Sequence, residues 1–216
     1  MKKITFFACL LAFAFVNAQD GDKNSSDKLT FAKGSQFINL NLSVNTSTSD
    51  FEGTTQTQEA KNFGFNINPS YSYAISDNFF LGLGLGYGHN KRENEINGAA
   101  DNEATTNSFQ IFPYVRYYKG IGKKLAFFVQ GETRYTNSKN EVNNQDARET
   151  NTLFFGVRPG FVFMLNKNLG LETSIGALGY TTSNTDDLAN NSEIDTNSFN
   201  FSLNSSNLLF GLSYYF

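Results

Sequence analysis

Apolar and polar residues alternate one by one in eight separate stretches of this chain of 216 residues. The first stretch, INLNLSVN over residues 38–45, places an apolar residue at every second position. A period of two puts successive side chains on opposite faces of a β-strand. The same pattern starts again near residues 63, 79, 109, 125, 153, 169 and 208. The sequence therefore predicts an all-β fold of eight antiparallel strands.

The connections between the predicted strands are alternately short and long. The short ones contain the glycine, asparagine and aspartate residues typical of tight turns and cover residues 74–78, 119–124 and 166–168. The long ones are polar, nearly free of apolar residues, and cover residues 46–61, 90–107, 136–150 and 181–198. This alternation predicts an up-and-down barrel with tight turns at one end and four long loops at the other.

Two features of the pattern predict β-bulges. Pro69, Pro113 and Pro159 occupy the same place in a repeated strand pattern, 44 and 46 residues apart. Proline cannot donate to a strand ladder and is normally confined to edges and bulges, so a bulge is expected at one depth in alternate strands. In addition, Phe199 and Phe201 fall at odd positions, whereas the apolar residues of the last strand fall at even ones. This change of parity predicts a bulge in or before the eighth strand.

Alternation alone leaves open whether the apolar face covers a core or meets lipid. Aromatic residues gather near both ends of the predicted strands, and charged residues occupy the opposite face. Transmembrane barrels have aromatic girdles and a polar interior of this kind. After the first 18 residues, the chain has no apolar run of the ~20 residues that a membrane helix needs. The sequence therefore predicts a transmembrane β-barrel.

The inward face of the predicted barrel combines charged and bulky side chains. The charged ones are expected to form a network in the lumen: Arg116, Glu132, Arg134, Arg158 and Glu172. We expect Glu132 to pair with Arg158, and Arg116 with Glu172, because charges removed from water need partners. Strands one to three place small residues inward, and strands four to seven place large ones inward, including Tyr180. Large residues opposite small ones predict a filled lumen.

The N-terminus has the features of a cleaved signal peptide over residues 1–18, where basic residues precede an apolar run that ends in VNA. Residues 19–35 are polar and aperiodic, which predicts a flexible lead-in, and the barrel is expected over residues 36–216. Cys9, the only cysteine, lies in the predicted signal. Disulfides and thiol chemistry are therefore not expected in the mature chain.

Few residues are candidates for chemistry. His89 is the only histidine, and no serine two residues away offers the partner that a histidine base would activate. The glycines from Gly82 to Gly88 alternate along a strand, whereas a nucleotide-binding loop opens a helix. Acidic residues in the last long connection lack the spacing of a calcium loop, and a solvated loop is favoured over weak ion contacts: Asp186, Asp187, Glu193 and Asp195. We expect no enzyme activity, cofactor or bound metal.

The last strand, LLFGLSYYF over residues 208–216, resembles the carboxy-terminal signal of Gram-negative outer-membrane barrels, which their assembly machinery reads. The residues that carry the resemblance are Phe210, Leu212, Tyr214 and Phe216. The repeated strand, turn and glycine-rich strand resembles the small outer membrane protein beta-barrel domain families, similar in size to the membrane domain of outer membrane protein A and to outer membrane protein X. The resemblance implies an outer-membrane location, a periplasmic lead-in and termini, and contact with outer-membrane lipid and lipopolysaccharide.

Two functions remain open at this point. The first is a non-enzymatic, structural or surface-interaction role, in which a plugged polar barrel presents four long extracellular loops to a partner. The alternative is a small channel, or a conduit for small hydrophobic molecules, lined by Phe112, Phe128, Phe154, Val162 and Leu178. The formal charge of −3 argues against a nucleic-acid partner, because binding to phosphates requires a basic surface.

Overall fold

The structure is a computed structural model that describes residues 28–53, 56–96, 99–188, 190–202 and 209–216. The predicted signal peptide and the first part of the predicted lead-in lie outside these residues. The strands are β1 (Gln36–Glu52), β2 (Thr57–Ser76), β3 (Phe79–Ile96), β4 (Ala99–Gly120), β5 (Leu125–Val142), β6 (Gln145–Met164), β7 (Leu169–Ser174), β8 (Ala177–Asp187), β9 (Ser192–Ser202) and β10 (Leu209–Tyr215). No helix among the described residues is long and apolar enough to cross a membrane.

The strands form one antiparallel ring. Each strand from β1 to β6 pairs with the next in sequence, and β6 pairs with both β7 and β8. The pairs β7 with β10 and β8 with β9 make these four segments the two interrupted final strands of an eight-stranded barrel. The ring closes where residues 37–41 of β1 pair with residues 211–215 of β10. The predicted fold class, an eight-stranded antiparallel up-and-down barrel, is confirmed.

The last two strands change parity where they are interrupted. Gly160 of β6 lies opposite Ser174 and Val157 lies opposite Leu178, so residues 175–177 face only two residues of β6. Gly176 has a φ of 137°, which favours glycine. As a result, Leu178 and Tyr180 share the outward face with Val157 and Phe155. The prediction that Leu178 and Tyr180 point inward is wrong, because the bulge shifts their register by one residue.

The prolines do not cause bulges in their own strands. Pro69 lies opposite Leu40 in an unbroken ladder with β1. On its other side the β2–β3 ladder skips two residues and resumes in the same register, from Ile67 opposite Tyr87 to Ser70 opposite Gly84. The missing N–H therefore interrupts hydrogen bonding without adding a residue. The predicted bulge at the proline position is therefore wrong. A bulge does lie opposite Pro159, but its extra residue is between β7 and β8, which pair with β6.

The four predicted long loops are mostly paired strands. In β1–β2, β3–β4, β5–β6 and β8–β9 the ladders continue almost to the tips, for example to Val142 opposite Gln145. Asn143 and Asn144 turn that hairpin with positive φ angles of 51° and 61°, as a two-residue β-hairpin turn requires. Both faces of these strand extensions are in contact with water, so their residues need not alternate between apolar and polar. We call this end of the barrel the hairpin end and the opposite one the turn end.

The outward face of the barrel is apolar and open to its surroundings. Leu42 of β1 and Leu85 of β3 are each 55% exposed, and outward-facing leucine, isoleucine, valine, phenylalanine and tyrosine side chains continue around the ring. A contiguous apolar surface of this kind meets lipid in a membrane protein. Closer to the hairpin end, the described part of β1 beyond Asn41 pairs only with β2, and β9 pairs only with β8.

Residues 29–35 form a strap across the turn end. The strap donates from Leu29 N to Gly122 O at 2.8 Å and from Gly34 N to Ala74 O at 2.9 Å. Asn78 binds the middle of the strap, since Phe31 N donates to Asn78 Oδ1 and Asn78 N donates to Phe31 O, both at 2.8 Å. The predicted lead-in is therefore attached to the barrel over these residues, a feature that its polar composition did not predict.

Candidate functional site

An apolar cluster lies in the barrel interior at the turn end. It consists of Phe31, Phe37, Ala74, Phe80, Tyr118, Ala126, Phe128, Val162, Met164 and Tyr215. The Phe31 ring of the strap stacks on Tyr215 with 4.8 Å between ring centroids and lies 5.8 Å from Phe80, edge to face. Side chains from the strap and from strands on all sides of the ring thus meet on the barrel axis. This cluster brings aromatic rings from distant parts of the chain into contact at the turn end.

A buried ion pair lies above this cluster, towards the hairpin end. Arg116 Nη1 donates to Glu172 Oε2 at 2.7 Å, and the two side chains are only 6% and 5% exposed. Glu172 Oε1 also accepts hydrogen bonds from Ser213 Oγ at 2.6 Å and from Tyr215 OH at 2.9 Å. The Arg116 guanidinium lies 4.3 Å from the centre of the Phe128 ring, a cation–π contact. The pair therefore links β4 to β7 and β10 across the lumen.

A second charged group lies next to it. Glu132 Oε1 accepts from Arg158 Nε at 2.9 Å and from Arg134 Nε at 3.1 Å. Gln130 connects the two groups, because its Oε1 accepts from Arg116 Nη2 at 2.6 Å and its Nε2 donates to Glu132 Oε2 at 2.7 Å. The structure thus brings all five sequence-predicted charged residues into one hydrogen-bonded network. Gln130 and the tyrosine hydroxyls complete it, and their inward parity in the sequence was the available signal.

Exposure in the lumen increases towards the hairpin end. The side chains of Arg134 and Arg158 are 21% and 24% exposed, whereas Glu132 between them is fully buried. A cavity of about 50 Å³ lies against these side chains. This is room for a few water molecules. Side chains are therefore more exposed at the hairpin end of the lumen than at the turn end.

Large and small side chains interlock across neighbouring strands. Gly84 of β3 lies directly opposite Phe112 of β4, and Gly82 lies opposite Tyr114. A Cβ atom at Gly84 would overlap the Phe112 ring, and one at Gly82 would overlap the Tyr114 ring. The alternating glycines therefore accommodate aromatic rings from the next strand.

The apolar residues considered for a conduit do not line a common channel. Phe128 and Val162 belong to the cluster that seals the turn end. Phe112 and Phe154 lie under the guanidinium groups of Arg134 and Arg158, at 4.0 and 5.2 Å from the ring centres. Leu178 lies on the outward face, because of the bulge before β8. The expectation that Leu178 lines the lumen is therefore wrong, whereas Phe112, Phe128, Phe154 and Val162 lie inside the barrel.

The remaining candidate residues lie outside the lumen network. His89 faces outward beside Phe65, 5.6 Å between ring centroids, and its Nδ1 lies 2.9 Å from Asn107 Oδ1. Asp187 accepts from Asn190 N at 3.0 Å and from Arg148 Nε at 3.3 Å. The hydrogen bonds from Asn190, with that from Arg148, lower the pKa of the Asp187 carboxyl. No group of three or more potential metal ligands occurs in the described part of the chain.

The end of the chain closes the barrel seam. Phe216 N donates to Gln36 O, and Gln36 N donates to Phe216 O, both at 2.9 Å. The side chains of Leu212, Tyr214 and Phe216 are exposed on the outward face. Phe210 lies opposite Thr173 of β7 in the ladder. Phe210, Leu212 and Tyr214 thus lie in β10, which pairs with β1 and β7, and Phe216 follows that strand directly.

Comparisons with known proteins agree with this architecture. Residues 6–216 match the outer membrane protein beta-barrel domain family. This chain belongs to that family. It is a transmembrane barrel of the cell outer membrane. No curated protein sequence matches it.

Solved structures with a similar fold include other outer-membrane proteins. Neisserial surface protein A is 15% identical, with a TM-score of 0.46, over 84% of this chain and 99% of that one. OprG from Pseudomonas aeruginosa is 12% identical, with a TM-score of 0.47, over 86% of this chain and 97% of that one. Ail, the attachment invasion locus protein of Yersinia pestis, is 12% identical, with a TM-score of 0.40, over 85% and 99% of the two chains.

Proposed function

We propose that this protein is a non-enzymatic surface-interaction barrel. Its lumen is plugged, and its four long hairpins contact an extracellular partner. The observation that carries the proposal is the seal at the turn end, where the strap inserts Phe31 into a cluster of buried aromatic rings. A barrel that is closed in this way offers no continuous aqueous path. Its accessible polar surface lies on the hairpins.

The hairpins present an ordered polar surface. Lys61 pairs with Glu59 at 3.1 Å and with Glu95 of the next strand at 3.3 Å. Lys91 pairs with Glu93 at 2.8 Å and with Glu103 of β4 at 3.1 Å. These cross-strand ion pairs support a stiff extension of the sheet beyond the apolar belt. Such a surface suits a hydrophilic partner, and the apolar belt below it suits outer-membrane lipid, with lipopolysaccharide at the boundary.

The termini lie on the periplasmic side in this proposal. The strap and Phe216 both lie at the turn end, where Gln36 and Phe216 are hydrogen-bonded to each other. A chain exported through the predicted signal peptide begins its barrel in the periplasm, and the assembly machinery reads its last strand there. The hairpin end then faces the outside of the cell.

Cysteine labelling tests this orientation, because Cys9, the only cysteine of the sequence, lies in the predicted signal peptide. Gln145→Cys places a thiol at a hairpin tip, and Gly122→Cys places one at a turn with open space around the new Cβ. A membrane-impermeant maleimide is expected to label the first variant on intact cells and the second only after permeabilisation. The opposite pattern would contradict the proposed orientation.

Shortening a hairpin tests the surface role. In one variant Asn-Gly replaces residues 140–148, which keeps Lys139 paired with Glu149 across the hairpin. We expect the shortened barrel to assemble normally but to lose a partner that the intact protein captures at the cell surface. The same partner set for intact and shortened forms of all four hairpins would contradict the proposed role.

A further inference from the structure

Two guanidinium groups share one carboxylate in the lumen. Glu132 is the only acidic side chain bonded to Arg134 and Arg158 within the described part of the chain, while Arg116 has its own partner in Glu172. The Arg134, Glu132 and Arg158 group therefore has a net charge of plus one. An uncompensated charge in a largely enclosed space favours the entry of a counter-ion.

The Arg158 guanidinium has N–H donors that bind no protein acceptor among the described residues. Its Nε donates to Glu132, and among the described residues no protein atom accepts from its Nη1 or Nη2. Arg134 uses Nη1 for Gln110 Oε1 at 2.7 Å, and its Nη2 makes only a 3.5 Å contact with Glu132. A planar guanidinium with two free N–H donors matches the two oxygens of a carboxylate. The unused hydrogen-bonding capacity therefore points to an oxyanion.

These donors line an accessible space. The lining of the cavity of about 50 Å³ includes Arg134, Arg158, Phe112 and Asn68, and also the paired residues Glu132, Glu172 and Arg116. Asn68 Oδ1 is buried there without a hydrogen-bond partner. The free guanidinium donors at this cavity fit a ligand with a negatively charged group. The turn-end seal limits access to the hairpin end.

We propose that this cavity is a binding site for a small monocarboxylate that enters from the hairpin end. One carboxylate neutralises the net charge of plus one, whereas a phosphate dianion would reverse it. The carboxylate oxygens accept from Arg158 Nη1 and Nη2. The proposal is independent of the surface role, because it concerns the lumen and its readout is binding.

Arginine side-chain NMR of the purified barrel in detergent micelles tests the site. The probe is sodium acetate, titrated at constant ionic strength against sodium chloride, with the Nε resonances of Arg134 and Arg158 as the readout. We expect a saturable acetate-dependent shift of both resonances that chloride does not produce. A shift that never saturates, or an equal response to chloride, would overturn the proposal.

Variants separate the site from general electrostatics. Arg158→Gln should weaken acetate binding, followed at the Arg134 resonance, by about tenfold or more, because the Nη1 and Nη2 donors are lost. Arg158→Lys keeps the positive charge but not the paired guanidinium donors, and it should weaken acetate binding by less. Glu132→Gln removes the competing carboxylate and should strengthen binding. Arg148→Gln, outside the cavity, is the matched control and should leave the affinity unchanged. Equal affinity in Arg158→Gln and the control would refute the site.

Discussion

Replacing Glu172 with glutamine perturbs the most deeply buried ion pair in the barrel. The change keeps the size of the side chain but removes the charge that faces Arg116 Nη1 at 2.7 Å. Glutamine has only one acceptor oxygen, so it cannot satisfy both Arg116 and the hydroxyls of Ser213 and Tyr215. Arg116 is then a buried cation without a counter-charge.

The size of the effect follows from burial. The two side chains are 6% and 5% exposed, so little water can replace the lost partner. Breaking a buried pair by removing one partner costs about 3–5 kcal/mol of unfolding free energy. Arg116→Met should also destabilise, but by less, because Glu172 keeps hydroxyl donors from Ser213 and Tyr215. The double variant should lose less than the sum, by a coupling of about 1–3 kcal/mol.

Urea unfolding in lipid vesicles measures these values, with the folded fraction read from mobility on a gel without boiling. Lys61→Gln, which removes two exposed ion pairs on a hairpin, is the control and should leave the unfolding midpoint unchanged. Strictly additive losses for Glu172→Gln and Arg116→Met would refute the reasoning. That outcome would mean that each charge is hydrated separately in a wet lumen.

Three further changes test other parts of the structure. Phe31→Ala should lower the unfolding free energy by about 3–5 kcal/mol, because it empties the centre of the turn-end cluster; a loss no greater than that of Thr30→Ala on the exposed side of the strap would count against the seal. Gly84→Val should block assembly by overlapping the Phe112 ring, and Phe112→Ala in the same chain should restore it, as heat-modifiable gel mobility would show; failure of the rescue would place the clash elsewhere. Deleting Phe216 removes the hydrogen bonds to Gln36 that close the seam, so outer-membrane levels should fall; normal levels in fractionated membranes would argue against the assembly signal.

The strand count and most side-chain directions follow from parity. Lipid and the lumen impose opposite polarity on successive residues, so Leu85 is exposed outward and Glu132 is buried inward as the alternation predicts. After a bulge, the alternation of inward and outward side chains is shifted by one residue. This shift explains why Leu178 and Tyr180 point outward and not inward. In the local sequence, Gly176 is the signal for that bulge. Its φ of 137° can be interpreted as a bulge only once the pairing of the strands is known.

The hairpins and the strap were harder to predict for physical reasons. Strand extensions with water on both sides do not alternate, so their threonine, serine and asparagine residues look like loops. The pair Asn143 and Asn144 was the available signal for a tight hairpin turn. Phe31 was a single aromatic residue in a polar lead-in, and its role depends on Phe80 and Tyr215, which are distant in sequence. Its seal is a tertiary property of the closed ring.

Ion conductance of the unmodified protein in a planar lipid bilayer tests the plugged lumen most directly. In the proposed function, the aromatic cluster at the turn end and the Arg116–Glu172 pair above it close the lumen to water. Insertion of the folded barrel should therefore produce no steady current steps at moderate voltage. Reproducible, long-lived current steps from the unmodified barrel would contradict the plugged lumen and support the channel alternative.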